Sequence, residues 1–453
     1  MASDSVSVIS VKRTAPRHAA RAASARVRQS FIIALLALTG FLAWIPWHAE
    51  ASYRAAAPGA AQAPSAAVHS VEALAWAMYA PQQAASSDAR IHLSSALLAF
   101  LAAALASLLA CWAIVRFQHL HARYTLDAVD TGPQKFHAKP TPRVGGVGLA
   151  LGLGATFAFM RVMLGDTSTL HSVGLLLLCG IPAFAGGLIE DLTKSVGVID
   201  RLLLTMLSGA MAAWMLGAVL DRVGIPGVDH IFISGAVAIP FTIFAVGGVA
   251  NAINIIDGYN GLVAGYAIIV LLAFALVAYL VGDALVLLTA LGTCGAIFGF
   301  FALNWPGGKI FLGDGGAYLM GYLLAELSVL IVIRHPDVKP WFPLLLLIYP
   351  IFETIFSIYR KKVLRGQSPG TPDGLHLHML LYKRVVPREW RGGENPGQLC
   401  RNSRTAKYIW GPTFVCAAVA VGARTDSMAL VFAVAVFIIG YILVYKKIVH
   451  FFN

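Results

Sequence analysis

Long apolar runs separated by short polar stretches set the pattern of this chain. The runs lie near 31–47, 93–115, 144–163, 172–189, 202–220, 231–250, 262–281, 284–303, 316–333, 341–358, 407–423 and 428–445. Each approaches the roughly 20 residues that a helix needs to cross a bilayer core. Most begin or end at Gly, Pro or a charge, the usual boundary signals. The run 341–358 is interrupted by Pro343, Pro350 and Glu353. Alternating strand patterns are missing, which argues against a β-barrel. The pattern predicts an all-α fold: a polytopic transmembrane helical bundle of about 11 core helices plus one N-terminal signal-anchor-like helix.

Five polar islands interrupt the apolar pattern: DTGPQKFHAKPTPRVGG (130–146), GLIEDLTKS (187–195), NAINIIDGYNGL (251–262), FLGDGG (311–316) and DGLHLHMLLYKR (373–384). An even number of expected spans separates each island from the next. All five therefore belong to one membrane face, where carboxylates, amides, imidazoles and cations distant in sequence can converge.

Composition agrees with the span pattern. The chain is 58% hydrophobic with mean hydropathy +0.73, and its 12% of charged residues is about half the roughly 25% of soluble domains. Lys and Arg gather on the island side: Arg116, Arg123, Lys135, Lys139 and Arg143 in one loop, and ten more between 359 and 406. The opposite side offers Arg222, Arg334, Lys339 and Arg424. By the positive-inside rule the islands face the cytoplasm. The net charge of +12 suits anionic lipid heads and phosphorylated substrates, and with so little soluble mass a nucleic-acid partner is not expected.

Residues 1–92 read as an appendage to a catalytic-sized domain at 93–446. Lys12, Arg13, Arg17, Arg21, Arg26 and Arg28 precede the run 31–47, the arrangement of a signal anchor. A cleaved signal peptide with Ala49-Glu50-Ala51 as its site is the alternative. The stretch 48–92 is rich in Ala, Pro, Ser and Gln and reads as an external low-complexity linker. The cysteines at 111, 179, 294, 400 and 416 show neither pairing pattern nor metal-ligand spacing.

Candidate chemistry lies in the islands. Glu190, Asp191, Asp257 and Asp314 are carboxylates at the lip of an apolar bundle, where charge is costly and usually functional. Acidic groups without neighbouring Cys or His fit Mg²⁺, which takes one or two carboxylates plus substrate phosphates. Helix capping is the competing explanation for each one singly. Gly258, Gly261, Gly313, Gly315 and Gly316 could let backbone N–H groups approach phosphate, or could simply break or pack helices. Lys135, His137, Lys139 and Arg143, with His376, His378, Lys383 and Arg384, supply cations able to neutralise a pyrophosphate. Some of these cations are explained by orientation signalling alone, and His376-x-His378 also leaves a metal role open. Glu326 and Glu353 lie inside expected spans, either lining a lipid groove or packed.

Together the islands resemble the polyprenyl-phosphate N-acetylhexosamine-1-phosphate transferase family over about residues 93–446. K-x-H-x-x-P-T-P-R-x-G-G matches at Lys135, His137, Pro140, Thr141, Pro142, Arg143, Gly145 and Gly146. N-x-x-N-x-x-D-G-x-x-G-L matches at Asn251, Asn254, Asp257, Gly258, Gly261 and Leu262, and F-L-G-D-x-G at Phe311, Leu312, Gly313, Asp314 and Gly316. The resemblance implies that undecaprenyl phosphate attacks the β-phosphate of a UDP-N-acetylamino sugar, giving undecaprenyl-pyrophosphoryl sugar and UMP at the bacterial inner membrane. It implies Asp314 as principal Mg²⁺ ligand, with Mn²⁺ a possible substitute, and Glu190 and Asp191 as the acidic pair at the lipid phosphate and metal. Glu190, Asp191, Asp257 and Asp314 would be the catalytic acids, Asp257 and Asn254 would hold the nucleotide side, Phe311 would stack near uracil, and Lys135, His137, Arg143, Asn251, Asn260, His376 and His378 would contact substrate. The partners implied are the two substrates and membrane lipids, and a homodimer is compatible with them.

The chain departs from that pattern in four places. Glu190 stands in the usual Asp-Asp pair, and Asn260 stands where Asp is common. The His triplet is reduced to His376-Leu377-His378-Met379, and Asp130 lies one residue closer to Lys135 than the pattern expects. The departures suggest a sugar-specific subgroup serving O-antigen or exopolysaccharide synthesis over a MurNAc-pentapeptide transferase. A transporter or an inactive lipid-binding scaffold are the readings from other classes. A transporter would place its charges near the midplane, not at the helix ends.

Overall fold

The computed structural model describes residues 93–127, 140–165, 167–368, 374–386 and 396–451. The expected helix 31–47, the whole appendage 1–92, and Asp130, Lys135, His137 and Lys139 lie outside the described residues.

Helix α1 (Leu93–Arg116) opens the bundle, followed by the short α2 (Gln118–Thr125). Strand β1 (Leu126–Asp127) pairs antiparallel with β2 (Thr141–Pro142), Leu126 opposite Pro142. Then come α3 (Gly145–Leu164), α4 (Ser168–Cys179), α5 (Ile181–Thr193), α6 (Val198–Met215), α7 (Gly235–Ile256), α8 (Leu262–Val281), α9 (Ala284–Asn304) and α10 (Gly313–Arg334). The chain continues through α11 (Trp341–Leu346), α12 (Ile348–Tyr359), the single turn α13 (Leu377–Leu380), α14 (Pro396–Gly422) and α15 (Ser427–Phe451). Among the described residues nine helical stretches are long and apolar enough to cross a membrane, α4 and α5 counting as one. The protein is a polytopic helical membrane protein.

The centre of the bundle is α10, almost wholly buried and packed against α3, α5, α6, α7, α8 and α9. Helices α8 and α9 are apolar on every face, as buried helices are. The outer helices bury one stripe only. On α1, Ala96, Ala99, Ala103, Ser107 and Cys111 face inward while Leu97, Leu101, Leu105 and Leu109 are exposed. That inward stripe of small side chains lets α1 approach α9 closely. A Cβ at Gly295 would lie 2.2 Å from the Phe100 carbonyl oxygen, so nothing larger than Gly fits.

Two expected spans take a different form. The run 341–358 is divided into α11 and α12 at Leu347. Pro350 has no N–H, which leaves the Leu346 carbonyl without its helical donor; the Tyr266 hydroxyl donates to that oxygen at 2.8 Å. The run 172–189 is divided at Gly180, just before Pro182, and Tyr322 donates to the Leu176 carbonyl at 3.0 Å, which also accepts from Gly180 N. The run 407–423 is the second part of α14, whose first turns are polar and include Arg401, Arg404 and Lys407; it is not among the nine apolar stretches.

The end of α10 away from the islands is held by charge. Asp283 caps α9 by accepting from Val286 N (3.0 Å) and also accepts from Arg334 Nε (2.7 Å) at the last turn of α10. Arg222 Nη2 donates to the Val332 carbonyl at 2.5 Å, a cation at a helix C-terminus.

Candidate active site at the N-terminus of the central helix

Asp314 sits in the first turn of α10. Its Oδ1 accepts from Arg143 Nη2 (2.6 Å) and Asn254 Nδ2 (3.1 Å), and its Oδ2 accepts from Arg201 Nη1. Three different helices or loops thus grip one carboxylate. Asn254 is oriented in turn by the Tyr318 hydroxyl, which donates to its Oδ1 at 3.3 Å from one turn further along α10.

Asp191, in the last turn of α5, holds the start of the same helix. Its Oδ1 accepts from Asp314 N (2.9 Å) and its Oδ2 from Gly315 N (3.0 Å), while Arg143 Nε lies 3.1 Å from Oδ1. Gly187, one turn earlier on α5, makes the approach possible, because a Cβ there would lie 2.4 Å from the Asp314 carbonyl carbon. Gly313 has φ +77°, and a Cβ on it would fall 2.3 Å from the Arg143 carbonyl oxygen. Position 313 therefore needs glycine for both conformation and space.

The island carrying Arg143 is bonded to this turn through its backbone. Phe311 N donates to the Pro142 carbonyl, Gly145 N to that of Phe311 and Gly146 N to that of Leu312, each at 2.8 Å. The glycines of P-T-P-R-V-G-G thus pack the loop against F-L-G-D-G-G, and Arg143 reaches both Asp191 and Asp314 from this anchored position.

Other expected site residues are placed as follows. Asn251 Nδ2 donates to Thr205 Oγ1 (3.0 Å) and the Gly247 carbonyl (2.8 Å), aligning α7 with the helix of Arg201. Asp257 ends α7; burial pushes its carboxyl up to about 7, Arg143 opposes this, and the nearby Asp314 and Asp191 add to it. Glu190 accepts from Val196 N at 2.8 Å and braces the turn after α5; no hydrogen bond joins it to the Asp314 cluster. Asn260 is buried, its side chain donating to the Pro306 carbonyl (3.3 Å) and its N–H donating to Asn402 Oδ1 (2.8 Å). The structure thus ties Asn260 into the 305–308 turn and brings Asn254 to Asp314.

The imidazoles form a second cluster. His376 Nδ1 lies 2.9 Å from Glu353 Oε1, and His378 Nδ1 lies 3.0 Å from the Tyr349 hydroxyl. Burial, then the electrostatic influence of the neighbouring His376, lowers the His378 pKa to about 3, with Glu353 opposing, so that ring is neutral. Its Nε2 is buried without a hydrogen-bond partner and lies 3.5 Å from where a Gly258 Cβ would stand. The second cluster therefore borders the Asp257–Gly258 turn.

Among the described residues no three His, Cys, Asp or Glu side chains gather as a metal cage. Mg²⁺ uses one or two protein carboxylates with substrate phosphates, and Asp314 is the carboxylate that would hold it here. Glu326, mid-way along α10, is fully buried and neither of its oxygens has a hydrogen-bond partner. Cys111, Cys179 and Cys294 are buried free thiols.

Arg201 is a site residue that the motif reading passed over. It stands near the start of an apolar span, outside every island, and the usable signal was a lone Arg three residues into α6 on the island face. Tyr318 and Asn402 gave no such signal.

Comparison with known proteins defines the class. The glycosyl transferase family 4 model matches residues 173–332, which include Glu190, Asp191, Asn254, Asp257 and Asp314. The "Probable undecaprenyl-phosphate N-acetylglucosaminyl 1-phosphate transferase" of Bacillus subtilis is 30% identical over 246 residues, 54% of this chain and 66% of that protein. The "Decaprenyl-phosphate N-acetylglucosaminephosphotransferase" of Mycobacterium tuberculosis is 30% identical over 285 residues, 55% of this chain and 69% of its own length. The "Phospho-N-acetylmuramoyl-pentapeptide-transferase" of Streptococcus pneumoniae is 28% identical over 252 residues, 53% of this chain and 74% of its own. The matches span about two thirds of these relatives' lengths. The chain belongs to glycosyl transferase family 4.

Proposed function

We propose that this protein transfers an N-acetylamino-sugar 1-phosphate from a UDP-sugar to undecaprenyl phosphate, releasing UMP. The observation that carries this reading is Asp314, held between Arg143 and Arg201 at the N-terminus of a buried helix. The attacking phosphate is already anionic at neutral pH, so the task is to screen anion from anion and to steady the leaving UMP. Arg143 and Arg201 supply positive charge beside Asp314, and the α10 N-terminus adds its partial charge. Mg²⁺ held through Asp314 and the diphosphate would act as a Lewis acid on the phosphoryl oxygens. Asn254 orients Asp314, and Asp257 borders the nucleotide side. The names of the Bacillus and Mycobacterium relatives favour UDP-N-acetylglucosamine as donor. Lys/Arg bias supports a site on the cytoplasmic face of the membrane, and the reading includes an initiating role in O-antigen or exopolysaccharide synthesis at the inner membrane.

The test is UMP release by the detergent-purified full chain with undecaprenyl phosphate and Mg²⁺. The donor panel is UDP-N-acetylglucosamine, other UDP-N-acetylamino sugars and UDP-MurNAc-pentapeptide. Lipid-dependent release that stops on chelation with EDTA and returns with Mg²⁺ is expected. Folded protein that releases no UMP from any donor would overturn the reading, and release from the pentapeptide donor alone would reassign the substrate.

A further inference from the structure

Glu353 is a fully buried carboxylate, and through it three elements are joined. Oε1 faces His376 Nδ1 at 2.9 Å, while Oε2 accepts from Leu377 N (3.2 Å) and from the Tyr441 hydroxyl (2.7 Å). It sits on α12, His376 precedes α13, and Tyr441 belongs to α15. A carboxylate is acceptor-only, so His376 must offer Nδ1–H to it, which leaves Nε2 as the nitrogen available to a ligand.

Backbone and side chain are tethered separately here. The backbone around His376 has its own anchors: Lys383 Nζ donates to the Gly374 carbonyl (3.0 Å) and Tyr445 to that of Leu375 (3.2 Å), and Leu380 N bonds the His376 carbonyl (2.9 Å). The imidazole, by contrast, has its hydrogen bond to Glu353. The rings of His376 and His378 are parallel with centroids 5.5 Å apart, so turning one ring would disturb the other beside Gly258. A carboxylate bonded to a histidine's second nitrogen fixes both tautomer and ring orientation.

We propose that Glu353 and Tyr441 are positioning residues for the transfer: they hold His376 as the Nδ1–H tautomer and present its Nε2, an acceptor in that tautomer, to a hydroxyl or N–H group of the donor sugar. This rests on the function proposed above, and it assigns Tyr441, more than 60 residues away in sequence, to the same task. Tyr441 restrains the carboxylate, and the carboxylate restrains the ring.

The test is a double-mutant cycle on the full chain, read as kcat/KM for UMP release. Glu353→Ala is expected to lose on the order of 10–100-fold, the range for groups that orient a functional histidine, and Tyr441→Phe several-fold. In a His376→Ala background neither should lower activity further, because a residue that acts through another has no effect once that other is gone. Equal losses in both backgrounds would show a merely structural role and overturn the proposal. If Glu353→Ala does not fold, Tyr441→Phe decides the same question alone. A readout independent of turnover is ¹⁵N NMR of histidine-labelled protein, with the His376 signal identified from its loss in His376→Gln. The parent should show a protonated Nδ1 at His376, and Glu353→Gln should change that signal; an unchanged signal would overturn the proposal. If the parent releases no UMP, the functional reading fails while the NMR result still decides the tether.

Discussion

Asp191 caps the helix that carries Asp314: its two carboxylate oxygens accept the N–H groups of Asp314 and Gly315 at 2.9 and 3.0 Å. The adjacent acids of two motifs 123 residues apart therefore differ in what they do. One builds the helix start, and the other stands in it between two arginines. Capping, one of the two explanations of an acid in sequence, is what these contacts show at Asp191, and its ion pair with Arg143 sets it beside Asp314.

Serine substitution separates those two contributions. Asp191→Ala should lower thermal stability in detergent by an amount corresponding to about 1–2 kcal/mol, the usual cost of losing a cap. Asp191→Ser should restore much of the stability but not the UMP release, since the hydroxyl accepts an N–H without supplying charge. Recovery of both would reduce Asp191 to a cap.

Arg201 and Asp314 should fail together. Asp314→Asn is expected to remove roughly 100-fold or more of the turnover, the scale for losing a charged group that steadies a transition state. Arg201→Lys keeps the charge but not the planar fork and should still lose activity at least about 10-fold by the same geometric argument. Steady-state assays on both variants check this, and near-parental turnover of either would remove that residue from the site.

Gly187→Ala tests the contact between α5 and α10. The new Cβ would meet the Asp314 carbonyl carbon at 2.4 Å, so the helices must separate, at about 1–3 kcal/mol for overpacking. Turnover should fall with it, because Asp314 moves. Gly154→Ala, with nothing within 4 Å of the new methyl, is the control and should be active and stable.

Asp283 gives a pH signature at the other end of α10. Burial would raise its carboxyl, but the hydrogen bond from His335 and the charge of Arg334 outweigh it and hold the pKa at about 2, below the ordinary 3.8. A carboxylate whose pKa falls on folding stabilises the folded protein above the ordinary value, and the gain disappears as pH drops through the folded value. Here that amounts to about 2 kcal/mol, lost between about pH 4 and pH 2. Melting curves across that range should show the parent losing more stability than Asp283→Asn, which starts lower; parallel curves would contradict the assignment.

The membrane class, most spans and the motif islands were legible because each depends on local pattern: apolar run length, and polar residues where a bilayer should exclude them. Arg143 and Asp314 were legible as residues of one face because their islands share it, but not as an ion pair. The break at Leu347 was only half legible. Pro343 and Pro350 mark it, but the hydroxyl that satisfies the Leu346 carbonyl comes from Tyr266, 80 residues earlier. Arg201 was missed because it lies at the edge of an apolar span and outside every island, and Asn260 proved to be bonded into the neighbouring turn at Pro306.

The sequence by itself determined that this is a helical membrane protein with its acids, amides and imidazoles on one face, since hydropathy and span parity are properties of the chain alone. The tertiary structure decided which of those groups meet: Asp191 with the α10 N-terminus, Arg201 with Asp314, Glu353 with His376 and Tyr441. Such pairings depend on which helices lie side by side and how each is rotated. Those choices are made by shape, by the small residues that permit close approach and by the need to satisfy buried polar groups, none of which a one-dimensional pattern specifies.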